Sequence, residues 1–320
     1  MGYSYSDEIV RSSPVSVWCL NVERPLVQKY LRRKQAANER LVKQYAPLYG
    51  ARVFRGTYRS GDGKEIRYFS VDSDRTAEKA PCMLYFHGGA FIDPVTPQIL
   101  NTACYFAARC GLRVLIPDYR RALDVSCRTT LEDCRAMIRY AHHHADELGI
   151  DPERMIFYGD SAGGALCAGM TLLARDQGEM LPLAQMLVYP VLDCHNPQKY
   201  LSIRQYAHAP WPASANRHMW RIYLKKGAGK LYPYVVPMQH PSLDHLPPSY
   251  VEPQEIDILR DEAIAYAKKL RHAGNKVTMN IVMGTYHGFD FDHTSSLVQR
   301  VLAQRAAFIR KCLQEKGTGI

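Results

Sequence analysis

The segment MIFYGDSAGG at residues 155–164 places a serine, Ser161, between small residues directly after a short apolar run. The apolar run predicts a strand, and the Ala- and Gly-rich stretch after Ser161 predicts the start of a helix. A serine at such a turn, with a glycine two positions away on each side, fits the GxSxG nucleophile elbow. The glycines are needed because a Cβ at either position would collide with neighbouring backbone. The segment therefore predicts a nucleophilic Ser161 at the carboxyl end of a strand.

The order of elements around this segment decides between catalysis and a plain packing role for the small residues, since GxSxG alone often arises by chance. From residue 81 onward short apolar runs alternate with helical patterns, which predicts a parallel sheet covered by helices on both faces. An antiparallel hairpin is predicted at 53–58 and 66–71. The further strands are predicted at 82–86, 113–116, 155–158, 186–189, 249–251 and 277–282, and the helices near 98–110, 130–148, 162–176, 259–273 and 295–315.

Two regions lie outside this alternation. Residues 1–50 have apolar side chains at helical spacing, and residues 194–234 carry His, Pro, Trp and basic residues without a strand pattern. We expect the first to be an N-terminal helical cap segment and the second a cap insertion into a catalytic domain of residues 51–320. All three tryptophans, Trp18, Trp211 and Trp220, fall in these regions. An apolar lid over a pocket would explain their placement, and so would ordinary packing of two surface segments.

A second glycine-rich segment, HGGAF at 87–91, follows the predicted strand 82–86 and is similar to an HGGG-type oxyanion loop. Backbone N–H groups in such a loop stabilise the negative charge that acyl transfer places on a carbonyl oxygen. We expect the donors to be Gly89 and Ala90, with Ala162 completing the hole and Gly88 permitting the turn. Taken alone, a plain glycine turn after a strand would explain the segment equally well.

Candidates for the acid and the base follow the last two predicted strands. The segment EIDILRDE at 255–262 contains Asp257, and the segment YHGF at 286–289 contains His287. The chain order Ser161, Asp257, His287 is the order found in α/β-hydrolases. His287 would remove the Ser161 proton and Asp257 would orient the imidazole. Glu255 is a rival for the acid role, whereas the acidic pair at 261–262 fits the first turn of a helix.

Together HGGAF, GDSAGG, EIDILRDEA and YHGF resemble the hormone-sensitive-lipase-like esterases, also called bacterial family IV, over residues 80–315. The resemblance implies an α/β-hydrolase fold, with a mostly parallel eight-stranded sheet, flanking helices and a helical cap. It implies hydrolysis of short acyl esters of small molecules without a cofactor, and homodimers through the last strand are common in that family. Carried over by residue, the triad is Ser161, Asp257 and His287, and the oxyanion hole is Gly88, Gly89, Ala90 and Ala162.

One stretch departs from the family pattern. The usual DYRLAPE followed by a Pro-rich turn is replaced by DYRRALD at 118–124 and then by CRTT at 127–130, without the prolines. The geometry of this loop is therefore open, although no expected triad member lies in it.

Composition excludes several other classes of function. The net charge is +10, but the basic residues are scattered, so no nucleic-acid partner is expected. Nine cysteines without a Cys-x-x-Cys pair predict neither a disulfide scaffold nor a zinc site, and His142–His144 lack companion ligand spacing. No stretch of 18 apolar residues and no signal pattern occurs, so we expect a cytoplasmic protein without a membrane span.

Three functions on this fold remain to be distinguished. The first is a serine carboxylesterase acting on short-chain acyl esters. The second is a deacetylase of small amides or sugar acetates that uses the same triad. The third is a non-catalytic ligand receptor, which the retention of Asp257 and His287 argues against.

Overall fold

The computed structural model describes residues 25–194 and 199–317. Trp18 and the rest of the predicted N-terminal segment before Pro25 lie outside this part of the chain. The eight cysteines in the described part are free thiols. Within the same ranges, no helix has both the length and the apolar character needed to cross a bilayer.

The strands of the described chain are numbered in sequence order. They are β1 (Ala51–Arg59), β2 (Glu65–Ser73), β3 (Ala80–Phe86), β4 (Arg113–Pro117), β5 (Ile150–Asp160), β6 (Ala184–Val188), β7 (Ser249–Glu252), β8 (Gln254–Ile256), β9 (Val277–Met279) and β10 (Val282–Tyr286).

The α-helices are numbered in the same way. They are α1 (Pro25–Lys43), α2 (Pro97–Cys110), α3 (Cys127–His143), α4 (Ala145–Leu148), α5 (Ala162–Asp176), α6 (Leu201–Gln205), α7 (Ala213–Leu224), α8 (Tyr232–Val235), α9 (Arg260–His272) and α10 (Ser296–Gly317).

Eight strands form one sheet in the order β1-β2-β4-β3-β5-β6-β7-β9, and β8 pairs with β10 in a separate parallel ladder. The first two pairings of the main sheet are antiparallel, and the other five are parallel. The predicted fold class, a mostly parallel eight-stranded sheet of the α/β-hydrolase type, is confirmed.

The sheet separates two apolar cores, because successive side chains of a strand point to opposite faces. On β3, Leu84 and Phe86 belong to the core beneath α3, α5 and α9, whereas Met83 and Tyr85 belong to the core beneath α2 and α10. All seven residues of β3 are buried. A strand that is buried on both faces has a continuous apolar sequence instead of alternating apolar and polar residues. The apolar run at 82–86 therefore predicted this strand.

The strand order reverses between β3 and β5, since β3 leads through α2 to β4 on one side and the chain then returns to β5 on the other. A crevice opens beyond the carboxyl ends of the strands at such a switch point, and ligands bind there in open α/β sheets. The register pairs Phe86 with Gly159. The residues that follow each strand, His87 to Ala90 and Ser161, therefore lie side by side at this edge.

The single strand predicted at 277–282 is wrong, because it consists of two strands with different partners. β9 pairs with β7 and ends at Met279, whereas β10 begins at Val282 and pairs with β8. Pro253 separates β7 from β8 and has no N–H for a sheet ladder. The chain crosses this break as the N–H of Asn280 donates to Val251 O and that of Val282 donates to Pro253 O.

The helix predicted at 130–148 also differs from the structure. It begins earlier, at Cys127, because the Ser126 hydroxyl caps it by accepting the Thr129 N–H at 3.3 Å. It is divided at His144, after which α4 forms a separate turn.

Candidate active site

Ser161 occupies the sharp turn between β5 and α5. Its backbone has φ 56° and ψ −121°, which an L-residue adopts only under strain. A Cβ at Gly159 would lie 2.0 Å from the Gly163 carbonyl oxygen, and one at Gly163 would lie 1.9 Å from the Phe86 carbonyl oxygen. Both glycines of the GxSxG pattern are therefore required by the close approach of backbone to backbone.

A continuous line of hydrogen bonds links the serine, the histidine and the aspartate. Ser161 Oγ lies 2.7 Å from His287 Nε2, and His287 Nδ1 lies 2.8 Å from Asp257 Oδ2. Because a carboxylate only accepts, Nδ1 carries the imidazole proton and Nε2 is left as the acceptor for the serine hydroxyl. The second oxygen of Asp257 accepts the Leu259 N–H at 3.0 Å, which fixes the carboxylate. The sequence prediction places these three residues together, and the distances suit a nucleophile, a base and an orienting acid.

The register of β8 and β10 explains why Asp257 and His287 meet. Ile256 and Tyr286, the last residues of these strands, are partners across the parallel ladder. Each is followed at once by its polar residue, and Gly288 turns the chain away with φ 72°. Two residues far apart in sequence are thus delivered to adjacent positions by a single strand pairing.

The other acidic residues near this ladder have different partners. The carboxylate of Glu255 accepts the Gly284 N–H at 2.6 Å, so it is held at the β10 backbone. Asp261 and Glu262 lie in the first turn of α9. Glu262 is fully buried and accepts the Leu192 N–H at 2.8 Å; burial raises its pKa well above the ordinary value.

Two aromatic rings contact the imidazole of His287. Trp211 stacks on it with ring centroids 5.6 Å apart and an interplanar angle of 26°, and Tyr189 meets it edge-on at 4.9 Å. Trp220 contacts the loop after β3 instead, since its ring centroid lies 6.1 Å from that of Phe91. Of the two described tryptophans, Trp211 therefore contacts the histidine expected to be the base and Trp220 contacts the loop after β3, placements that the sequence left undecided.

The loop after β3 has left-handed backbone at three successive residues. Gly89 has φ 113°, Ala90 φ 56° and Phe91 φ 59°. Within the part of the chain that the structure describes, no protein acceptor takes a hydrogen bond from the N–H of Gly89, Ala90 or Ala162. Amides presented in this way at a helix start and a strained turn are suited to binding an oxyanion.

Gly88 lies against Asp160, the residue before Ser161. Its N–H donates to Asp160 Oδ1 at 3.2 Å, and a Cβ at Gly88 would lie 2.4 Å from Asp160 Oδ2. Burial, reinforced by the charge of Asp290, raises the pKa of Asp160 to about 6. Asp160 thus ties the loop after β3 to the serine turn after β5.

His87 lies fully buried beneath the same loop. Its Nδ1 lies 2.8 Å from the Gly88 carbonyl oxygen, and its ring stacks on Tyr119 with centroids 4.2 Å apart. Among the described residues, Nε2 has no hydrogen-bond partner. Burial lowers the pKa of His87 to about 4. His87 is therefore a neutral supporting residue at physiological pH and carries no charge toward the site.

The stretch that departs from the family pattern is anchored without prolines. The Tyr119 hydroxyl donates to the His87 carbonyl at 2.6 Å, and the Ala122 N–H donates to the Phe91 carbonyl at 2.8 Å. Arg120 pairs with the buried Asp133 at 2.8 Å. The stretch at 118–124 therefore supports the loop after β3 through these two hydrogen bonds.

Helix α1 also contacts the loop after β3. The sequence did not reveal this contact. The Gln35 amide donates to the Ile92 carbonyl at 2.6 Å, and Lys34 pairs with Asp93 at 3.2 Å. Asp93 is largely buried, and burial raises its pKa despite the neighbouring lysine.

A cavity of about 340 Å³ opens on Ser161 and His287. No cluster of three or more potential metal ligands occurs among the described residues. The cavity is lined by Lys34, Asn38, Gly88, Gly89, Ala90, Asp93, Thr96, Gln98, Ile99, Asp160, Ser161, Tyr189, Pro210, Trp211, Tyr286, His287, Gly288 and Phe291.

The charge state of His87 can be measured directly. The unfolded chain takes up a proton near pH 6.5, whereas folded His87 does so only near 4, so this residue lowers stability as the pH falls across that window. Asp160 acts in the opposite direction, because its folded pKa lies above its unfolded value. Bulk stability would mix the two effects. In ¹⁵N-histidine NMR spectra, assigned with a His87→Gln variant, we expect His87 to stay neutral at pH 5; a midpoint near 6.5 would contradict this.

Comparisons with known proteins agree with this architecture. Residues 83–291 match the sequence profile of the family described as alpha/beta hydrolase fold. Lipase 2 of Moraxella sp. (strain TA144) is 30% identical over 256 residues, which cover 68% of this chain and 56% of that protein. Ethyl acetate hydrolase of Pseudomonas putida is 28% identical over 248 residues, 76% of each chain.

Among solved structures, a bacterial heroin esterase superposes with a TM-score of 0.84 at 29% identity, covering 97% of this chain and 98% of that one. This chain spans less than two thirds of the Moraxella relative, whereas it matches the heroin esterase over nearly its whole length. The chain belongs to the α/β-hydrolase fold family, within the hormone-sensitive-lipase-like esterases that its motifs resemble.

Proposed function

We propose that this protein is a serine carboxylesterase that hydrolyses short-chain acyl esters through an acyl-enzyme intermediate. The observation that carries the proposal is the line of hydrogen bonds from Asp257 through His287 to Ser161, which ends at the cavity. The names of the relatives, an ethyl acetate hydrolase and a heroin esterase, support ester hydrolysis.

In the first half-reaction Ser161 Oγ attacks the ester carbonyl carbon while His287 Nε2 takes up the hydroxyl proton. Asp257 stabilises the imidazolium that forms. The tetrahedral intermediate collapses, the ester C–O bond breaks, and His287 returns the proton to the leaving alcohol. In the second half-reaction His287 activates a water molecule, which releases the acid and regenerates the serine.

The developing oxyanion would be bound by the N–H groups of Gly89, Ala90 and Ala162, with Gly88 allowing the turn. The support is that these amides have no acceptor among the described residues and that the loop is braced by Asp160 and His87. Such donors act strongly because they are already oriented before charge develops.

We propose that residues 25–50 and 199–234, the described parts of the two predicted cap segments, form a cap over the cavity. The support comes from α1, which supplies Lys34 and Asn38 to the cavity wall, and from the segment before α7, which supplies Pro210 and Trp211. The cap would then determine which alcohols and acyl groups fit.

The acid role is tested by comparing Asp257→Asn with the matched control Glu255→Gln. The asparagine presents an N–H or a neutral carbonyl to Nδ1, so the imidazolium loses its counter-charge, and we expect kcat to fall by about 10³ to 10⁴. Glu255 lies at the β10 backbone, so its replacement should change kcat for p-nitrophenyl acetate by less than about threefold. Equal losses in the two variants would overturn the assignment.

The acyl preference is tested with p-nitrophenyl esters of increasing chain length. The cavity of about 340 Å³ is at the small end of ligand pockets, and Trp211 and Phe291 line it. We expect kcat/KM for acetate and butyrate to exceed that for dodecanoate by roughly 10²-fold, since long chains exceed this space. Faster turnover of long-chain triglyceride emulsions would contradict the proposal.

Deacetylation of acetylated sugars is a second candidate within the same chemistry. It is favoured by the polar side of the cavity, where Lys34, Asn38, Asp93 and Gln98 could bind hydroxyl groups of a sugar. Acetylated sugars therefore belong in the same panel.

A further inference from the structure

Arg305 of α10 has no solvent exposure and is paired with two carboxylates. Its Nε and Nη2 donate to Glu252 at 3.0 and 2.6 Å, and its Nη1 donates to Asp290 at 2.6 Å. Burying charged groups costs desolvation free energy, and proteins in which a buried ion pair is replaced by apolar residues of similar volume are often as stable or more stable. A contribution to folding stability is therefore a weak explanation for three buried charges at this place. The hydrogen bonds that they make to other residues are a better guide to their role.

Those connections lead to His287. Asp290 follows it by three residues, within the short 3₁₀ turn Phe289–Phe291. The second oxygen of Asp290, Oδ1, accepts the Tyr189 hydroxyl at 2.7 Å, and the Tyr189 ring meets the imidazole edge-on. The loop that carries His287 is thus held by Asp290, and the imidazole rests on a ring that the same carboxylate holds.

We propose that Asp290, anchored by Arg305, is a positioning residue for His287. This inference rests on the proposed function. Asp257 fixes only one atom of the imidazole, Nδ1, which leaves the tilt of the ring about that bond undetermined. The edge-on contact with Tyr189 and the stacking of Trp211 both limit that tilt. A displacement of about 1 Å between base and nucleophile can cost about 10²-fold in rate, so the anchor acts on kcat.

The charge on Asp290 is maintained by its partners. Burial on its own would raise the pKa of Asp290, but Arg305 and the Tyr189 hydroxyl outweigh burial and hold the pKa below its ordinary value. Asp290 therefore remains an ionised acceptor over the whole range in which an esterase of this kind would work.

The structure offers a matched pair of variants. Asp290→Asn and Glu252→Gln each remove one negative charge that faces the same buried arginine, with almost no change in side-chain size. Only the Asp290 carboxylate accepts the Tyr189 hydroxyl, whereas Glu252 meets Tyr189 through its backbone carbonyl, which Glu252→Gln retains. Tyr189→Phe is a milder third variant, since it keeps the ring and removes only the hydroxyl. All three are compared by melting temperature, by kcat and KM for p-nitrophenyl acetate, and by the rate of labelling with a fluorophosphonate.

We expect Asp290→Asn to lower kcat and the labelling rate about 10- to 100-fold with KM within about twofold. Tyr189→Phe should lower both rates about 3- to 10-fold. Glu252→Gln should lower the melting temperature as much as Asp290→Asn but leave both rates within about threefold. Equal rate losses in Asp290→Asn and Glu252→Gln, or unchanged rates in Asp290→Asn and Tyr189→Phe, would refute the positioning role alone. An inactive, unlabelled wild-type protein would refute the proposed function and this inference with it.

Discussion

The backbone of the turn between β5 and α5 lies directly against the end of β3. The rest of the site depends on this close contact between the two backbones. A side chain at Gly163 would overlap the Phe86 carbonyl, and one at Gly88 would overlap Asp160. Because β3 and β5 are parallel neighbours at the point where strand order reverses, the amides of one loop and Ser161 of the other face the same crevice. The strain at Ser161 is maintained by the packing on both sides of it.

The second half of the site depends on a different and smaller ladder. The pairing of β8 with β10 brings Asp257 beside His287, and Arg305 holds the loop after β10 through its bond to Asp290. The two halves meet in one hydrogen bond, between Ser161 and His287. They are also joined electrostatically, since the charge of Asp290 contributes to the raised pKa of Asp160. A site assembled from two ladders in this way needs both to be rigid, which the buried charges and stacked rings provide.

The sequence predicted most of what local patterns and ordered motifs can specify. The strands at 82–86 and 155–158 were evident because they are apolar throughout, and Ser161, Asp257 and His287 were singled out by residue type and chain order. It did not reveal that 277–282 divides between two partners, because that depends on Pro253 in a separate segment. The contacts of Trp211, Gln35 and Arg305 were equally hidden, since each joins parts of the chain that carry no pattern relating them.

The central claim is that Ser161 is a nucleophile activated by His287, and the most direct test is covalent labelling. A fluorophosphonate forms a stable bond only with a serine whose proton is removed by a neighbouring base. After incubation, intact mass analysis should show one adduct per chain, peptide mapping should locate it at Ser161, and Ser161→Ala should remain unlabelled while keeping its fold. An unlabelled wild-type chain, which a non-catalytic receptor on this fold would give, or an adduct at another residue, would contradict the account.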